Sequence, residues 1–251
     1  LAELPHDRQS RSIQIDAEGQ PLCSFAAPIN LRNAEVKRDI SITSCMFLDG
    51  GIDCSNAQAD AIRVNSIGNH RRLLPINGEH KFYGVKAEDV SFVGHITGRS
   101  WIFFTGAKIS DWLQIELDCS PGTDSHQRTL FLDALESNHI VVDFDNLRYN
   151  SEERREEPTE TGFSVWLHHT KVHSSISISA NDPISILNAP SMRVDSGMYL
   201  KGVFEYLHLE GSTFHHLKLP EEPAKATIEL SQVRTKVFED YQSSWGEDHY
   251  K

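Results

Sequence analysis

Asp143 and Asp145, in the stretch IVVDFDN, are the residues of this chain best spaced for acid–base chemistry. On a β-strand two such carboxylates point the same way, about 7 Å apart, near the separation used to attack a glycosidic bond. Parallel β-helices host polysaccharide-cleaving enzymes, so a carbohydrate-active enzyme using Asp143 and Asp145, with Trp112 or Trp166 as flanking aromatics, is one functional reading. Asp residues alternating with Val142 and Phe144 are also what any solvated strand face looks like, and that plainer reading is favoured. The chain contains no G-x-S-x-G elbow, no H-E-x-x-H, no P-loop and no G-x-G-x-x-G leading into a helix, so the sequence leans away from an enzyme.

The 13 histidines come next, among them His168-His169, His173, His208 and His215-His216. His208 lies between Leu207 and Leu209 and should face outward. His168 precedes it by 40 residues. If the fold repeats about every 20 residues, both fall on one exterior face, where a transition-metal site is conceivable. Surface histidines without a metal are the favoured reading, and no cofactor is expected. His168 and His208 are instead candidates for contact with a protein partner, together with the small basic cluster Arg71 and Arg72.

The elements that would position these groups are legible in MYLKGVFEYLHLEGSTFHHLKL, residues 198–219. Apolar or small doublets split by one residue begin at Met192, Met198, Val203, Leu207, Ser212 and Leu217, a mean step of five. Alternation of this kind marks a strand, since residues two apart lie on opposite sides of a helix. A doublet every five residues predicts strands of two or three residues with a bend after each, and Gly197, Gly202 and Gly211 stand between doublets, where bends need permissive dihedrals. Leucine-rich repeats need about 20 to 29 residues, twice the spacing found here. Five residues per side predicts a quadrilateral solenoid of about 20 residues per coil, with coils stacked as parallel strands.

The same pattern appears at Ile40/Ile42, Cys45/Phe47, Ile52/Cys54, Ile102/Phe104, Leu113/Ile115, Ile176/Ile178 and Ile228/Leu230. It predicts about ten coils over residues 29–235, after an N-terminal lead at 1–28. Excursions are expected at 65–82, 118–129 and 150–162, which are rich in turn formers or charge. At 236–251, Val237, Tyr241 and Trp245 are spaced for one helical face. They predict a short helical cap over the last coil, or a homodimer contact, with capping favoured.

Composition narrows the partners. Net charge is −12, from 36 acidic and 24 basic residues. This argues against a direct nucleic-acid binder, which needs a basic footprint, and suits a basic protein partner. No apolar run reaches membrane-spanning length, and the opening LAELPHDRQSRSIQIDAEGQ lacks the apolar core of a secretory leader. Cys23, Cys45, Cys54 and Cys119 form no C-x-x-C pair and have no zinc-finger spacing to histidine. They are expected to be buried reduced thiols in a cytoplasmic protein.

INLRNAEVKRDISI and FFTGAKISDWLQIEL resemble the bacterial pentapeptide-repeat and pentapeptide-like proteins, whose pentad is A-(D/N)-L-x-x. The nearest matches are Ala34-Glu35-Val36, Ala57-Gln58-Ala59 and Ala107-Lys108-Ile109, which place another residue where the pentad has Asp or Asn. The resemblance implies an all-β, right-handed quadrilateral parallel β-helix. It also implies a non-enzymatic role: some members imitate the shape and charge of duplex DNA and bind topoisomerases, and some dimerise through the C-terminus. The function expected is thus an acidic interaction module for a protein partner, with a DNA-binding enzyme as one such partner. A structural segment of a larger protein is a further alternative.

Overall fold

The computed structural model describes residues 12–16, 23–68, 73–119, 128–144, 163–220 and 227–239. Among them every regular element is a β-strand: eighteen strands share one sheet, and Cys23–Phe25 pairs with Cys45–Phe47 in a second. The strands pair in parallel, each with segments one coil before and one coil after it, which makes the chain a β-solenoid. Backbone register carries one side of the stack through Ile13, Ile40, Ile62, Val90, Leu113, Ile140, Ile176, Met198, Leu217 and Phe238. Eight of these ten stations fall within 29–235, and the stack also takes in Ile13 from the expected lead and Phe238 from the expected cap.

Within a coil the inward residues come in doublets. From Ile40 they run Ile40/Ile42, Cys45/Phe47, Ile52/Cys54 and Ala57/Ala59 before Ile62 restarts the cycle, and all but Ala59 are fully buried. Four doublets per coil are the four expected sides. Aliphatic residues stack on their equivalents one coil away, and Phe82 stacks on Phe104 with centroids 4.6 Å apart. Burying each such side chain contributes about 1.5–3 kcal/mol, which no single coil could supply alone. Cys45, Cys54 and Cys119 lie in this interior as expected. Burial, and then the nearby Asp53 carboxylate, push the Cys54 thiol far above its ordinary pKa.

One corner repeats through the stack. Asn33, Asn56, Gly84, Gly106, Ala134, His169, Ser191, Gly211 and Gln232 each have φ between 51° and 68°. At most of these corners an N–H donates to the carbonyl three residues back, as from Ala57 to Cys54 and from Ala107 to Phe104. A left-handed residue at the third turn position defines a type II turn, which favours Gly or Asn.

Three local expectations change. The strands Lys171–Asn188 and Arg193–His208 have 18 and 16 residues rather than two or three, because bonding to the neighbouring coil continues round the bend. Gly202 (φ 106°) pairs with Ala180 at that bend, where a Cβ would lie 1.8 Å from the Ala180 oxygen. This irregularity turns Phe204 inward, opposite Ile184, and leaves the expected Val203 only half-buried. Gly197 also lies within this continuous strand, between Ser175 and His216, where the pairing with Thr213–Lys218 shifts register but its φ is not positive. Val237 is not helical: Arg234–Glu239 is a strand pairing with Thr213–Lys218. A ready strand edge outcompetes the costly nucleation of a short helix. Tyr241 and Trp245 lie outside the described residues.

Much of the excursion expected at 65–82 belongs to the stack, with 69–72 outside the described residues. Leu73, Leu74 and Ile76 are buried, and Gly78–Lys81 is a strand of the stack. Of 118–129, residues 118 and 119 end one strand and 128 and 129 begin another, while 120–127 and all of 150–162 are not among the described residues. No helix among the described residues is long and apolar enough to cross a membrane.

Candidate functional site

The residue between the two members of an inward doublet points outward, and register aligns these residues into a column. On one side the column reads Asp53, Lys81, Phe103, Phe131, Trp166, Asn188, His208 and Glu229. After Asp53 and Lys81 its middle members, Phe103, Phe131 and Trp166, form an aromatic ladder that Tyr83 extends from beside the column. Tyr83 lies 5.2 Å from Phe103, Phe103 stacks on Phe131 at 4.7 Å and 3°, and Phe131 lies 6.3 Å from Trp166. Phe103 and Phe131 cover one another's faces, while Tyr83 and Trp166 are tilted against them by 32° and 31°.

The rest of the column is polar. His208 Nδ1 lies 2.9 Å from Asn188 Oδ1, an oxygen that can only accept, so Nδ1–H is the donor and the ring is turned with Nε2 toward two carboxylates. Nε2 is 3.3 Å from Glu210 Oε2 and 3.8 Å from Glu229 Oε2. Tyr206 donates its hydroxyl to Glu229 Oε2 at 2.8 Å, and that bond, with the nearby Glu210 charge, raises the Tyr206 pKa.

His168 does not align with His208. The register takes His208 through Asn188 to Trp166, two coils of 42 residues in all, while His168 stands two positions further along with Pro190 and Glu210. Its ring lies 5.1 Å from Trp166, its backbone N–H donates to Asp133 Oδ1 at 2.9 Å, and its Nε2 is buried without a hydrogen-bond partner. The two histidines share a face but not a column.

Asp143 faces outward between Glu116 and Ser179, and accepts a hydrogen bond from Ser179 Oγ at 2.9 Å. Asp145, Arg71 and Arg72 lie outside the described residues. Trp112, 44% exposed, stacks on His139 at 4.3 Å in the column beginning two residues before Gln114.

Other polar clusters were not singled out from sequence. A shallow cleft of about 300 Å³ is lined by Lys108, Ile109, Ser110, Glu136, Asn138 and His173. Glu136 accepts from His173 Nε2 at 2.9 Å and Lys171 Nζ at 3.1 Å, with Lys108 Nζ at 3.9 Å. His173 first, then Lys171, holds the Glu136 carboxyl below its ordinary pKa. The bond from Arg193, opposed by partial burial, does the same for Asp195, which His173 Nδ1 approaches at 3.6 Å. On another side His95 Nδ1 meets the buried Asp118 at 2.6 Å, an arrangement that orients an imidazole.

Compared with known proteins, the chain matches no family model, no curated protein and no solved structure.

Proposed function

We propose that this β-solenoid is a rigid, non-enzymatic interaction module that binds a protein partner through the face carrying the aromatic ladder and His208. The observation that carries this reading is the continuity of that face: half-buried Tyr83, Phe103, Phe131 and Trp166 run directly into Asn188, His208 and Glu229. Aromatic rings backed by a stiff scaffold lose little entropy on binding and are typical anchors of interfaces. Asp133, Glu210 and Glu229 add negative charge along the same face, in keeping with the net −12, so the partner is a protein presenting Arg or Lys beside apolar side chains. A DNA-binding enzyme is one partner of that chemistry, and mimicry of duplex DNA would be the corresponding mechanism. The cytoplasm is the compartment proposed, on the support of the buried Cys54 thiol.

The carbohydrate reading has less support. Sugar rings dock on open aromatic faces, whereas Phe103 and Phe131 are stacked on each other. The experiment is affinity capture from lysate with the wild-type chain and the Trp166→Ala and Phe131→Ala variants, followed by mass spectrometry. A stoichiometric, salt-sensitive basic protein retained by wild type and lost by the variants is the expected result. Capture indifferent to both substitutions would overturn this choice of face. Empty beads with glycan binding that is lost in Asp143→Asn would overturn the interaction module itself.

A further inference from the structure

We propose that His208, Glu210 and Glu229 bind a divalent first-row transition-metal ion. The three ligand atoms, His208 Nε2 and one oxygen from each carboxylate, lie within 4.8 Å of one another. Donors bound to a common ion at about 2.1 Å sit about 3.0–3.5 Å apart. The 3.3 Å from Nε2 to Glu210 already meets this, and the 3.8 Å to Glu229 closes with a small side-chain rotation.

Two further observations, independent of the clustering, point to a cation. The first is the orientation of the imidazole from outside the cluster. Asn188, one coil earlier in the same column, accepts the Nδ1–H bond, so Nε2 is aimed between the two carboxylates, where a bound cation would take the place of any proton on it. An oriented histidine of this kind is the usual companion of a metal ligand. The second is charge. No Lys or Arg among the described residues lies within ion-pair distance of Glu210 or Glu229, so the two carboxylates converge with only the imidazole and the Tyr206 hydroxyl, which donates to Glu229 Oε2, beside them. The Glu136 cluster, where Lys108, Lys171 and His173 surround one carboxylate, shows how this fold neutralises an acid when it does so with its own side chains.

The chemistry of the donors selects the ion. An imidazole with two carboxylates suits zinc, cobalt, nickel or manganese, while calcium prefers an all-oxygen shell. His208 is held in the wall of the stack, with a side chain 18% exposed, and the glutamates are nearly half exposed. Water can therefore complete the shell. The proposal does not rest on partner binding, although the ion would sit on the same face.

The test is calorimetric titration of the chelator-treated full chain with zinc chloride, repeated with cobalt chloride while recording the visible absorption of the bound ion. The expected result is one ion whose binding weakens at least tenfold in both His208→Ala and Glu229→Gln. Asn188→Ala should weaken it 10- to 100-fold, as loss of an orienting partner does. Calcium chloride should give no comparable heat. Because Glu229 is exposed, Glu229→Gln keeps the test readable if His208→Ala disturbs folding, with circular dichroism as the check. Zinc binding unchanged in Glu229→Gln, or absent from wild type, overturns the site.

Discussion

His80 and His208 occupy neighbouring columns of one wall of the stack, the first turned inward and the second outward. The inward column runs from His80 through Ile102, Leu130, Val165 and Leu187 to Leu207, and His208 is the next residue along the chain. His80 is fully buried between the ring edges of Phe47, at 5.6 Å, and Phe92, at 5.0 Å, and neither of its nitrogens has a hydrogen-bond partner. Burial lowers its pKa from 6.5 to about 4, while the backbone at Ile76 and Asn77 pulls weakly the other way without a bond of normal geometry. His208 is surrounded by one amide and two carboxylates. A one-residue difference in phase thus separates a histidine stripped of its proton from one dressed with oxygen ligands.

The largest effect expected from this contrast is acid lability. A histidine that ionises at an ordinary 6.5 when unfolded but at about 4 when folded binds its proton more readily in the unfolded state. Stability is therefore unaffected above about pH 6.5 and falls as pH is lowered towards 4, by about 3 kcal/mol in all. Urea unfolding at pH 7.5 and 4.5 measures this, and His80→Leu should flatten the dependence. An equally steep loss in His80→Leu would assign the lability to other groups.

A second substitution asks what a satisfied polar group is worth in the same interior. Ser212 is fully buried, donates to the Ala189 carbonyl at 2.6 Å and accepts from the Met192 N–H at 2.9 Å. Ser212→Ala strands both backbone groups and should cost about 1–3 kcal/mol, read as a lower urea midpoint. An unchanged midpoint would mean that water or a backbone shift replaces the hydroxyl.

The smallest effect belongs to the surface. Glu136 is open to solvent, so Glu136→Gln should change stability by less than about 1 kcal/mol, and less still in high salt. Its lowered pKa means that the contribution is present at neutral pH and lost as pH falls through the carboxylate range. A salt-insensitive loss larger than that of Ser212→Ala would reverse the ranking of interior and exterior.

Much of this was legible in the chain. Phe103, Phe131, Trp166, His208 and Glu229 are each the middle residue of an apolar doublet, so the outward column could be read by collecting the middles. Which middles meet was harder to read, because loops of unequal length make the coil step vary: it is 19 residues from Met198 to Leu217 and 36 from Ile140 to Ile176. Counting back 40 residues from His208 therefore reached His168, when the register leads to Trp166. His80 escaped notice because a polar residue at an inward position breaks the apolar pattern that would have marked it. Of the corner residues, Gly211 was legible, but Ala134, His169, Ser191 and Gln232 adopt the same left-handed turn without its usual signature.

The bonds that join one coil to the next run along the axis of the stack. Tension applied to the two ends loads them one coil at a time, as in opening a zip, rather than all together as in a sheet pulled along its strands. Releasing a C-terminal coil of 19 to 22 residues frees about 65–75 Å of chain while giving up about 4.8 Å of stack. Held at both ends, the protein is an extensible tether that lengthens one coil at a time, in steps that follow each coil's own length, from 19 to 36 residues.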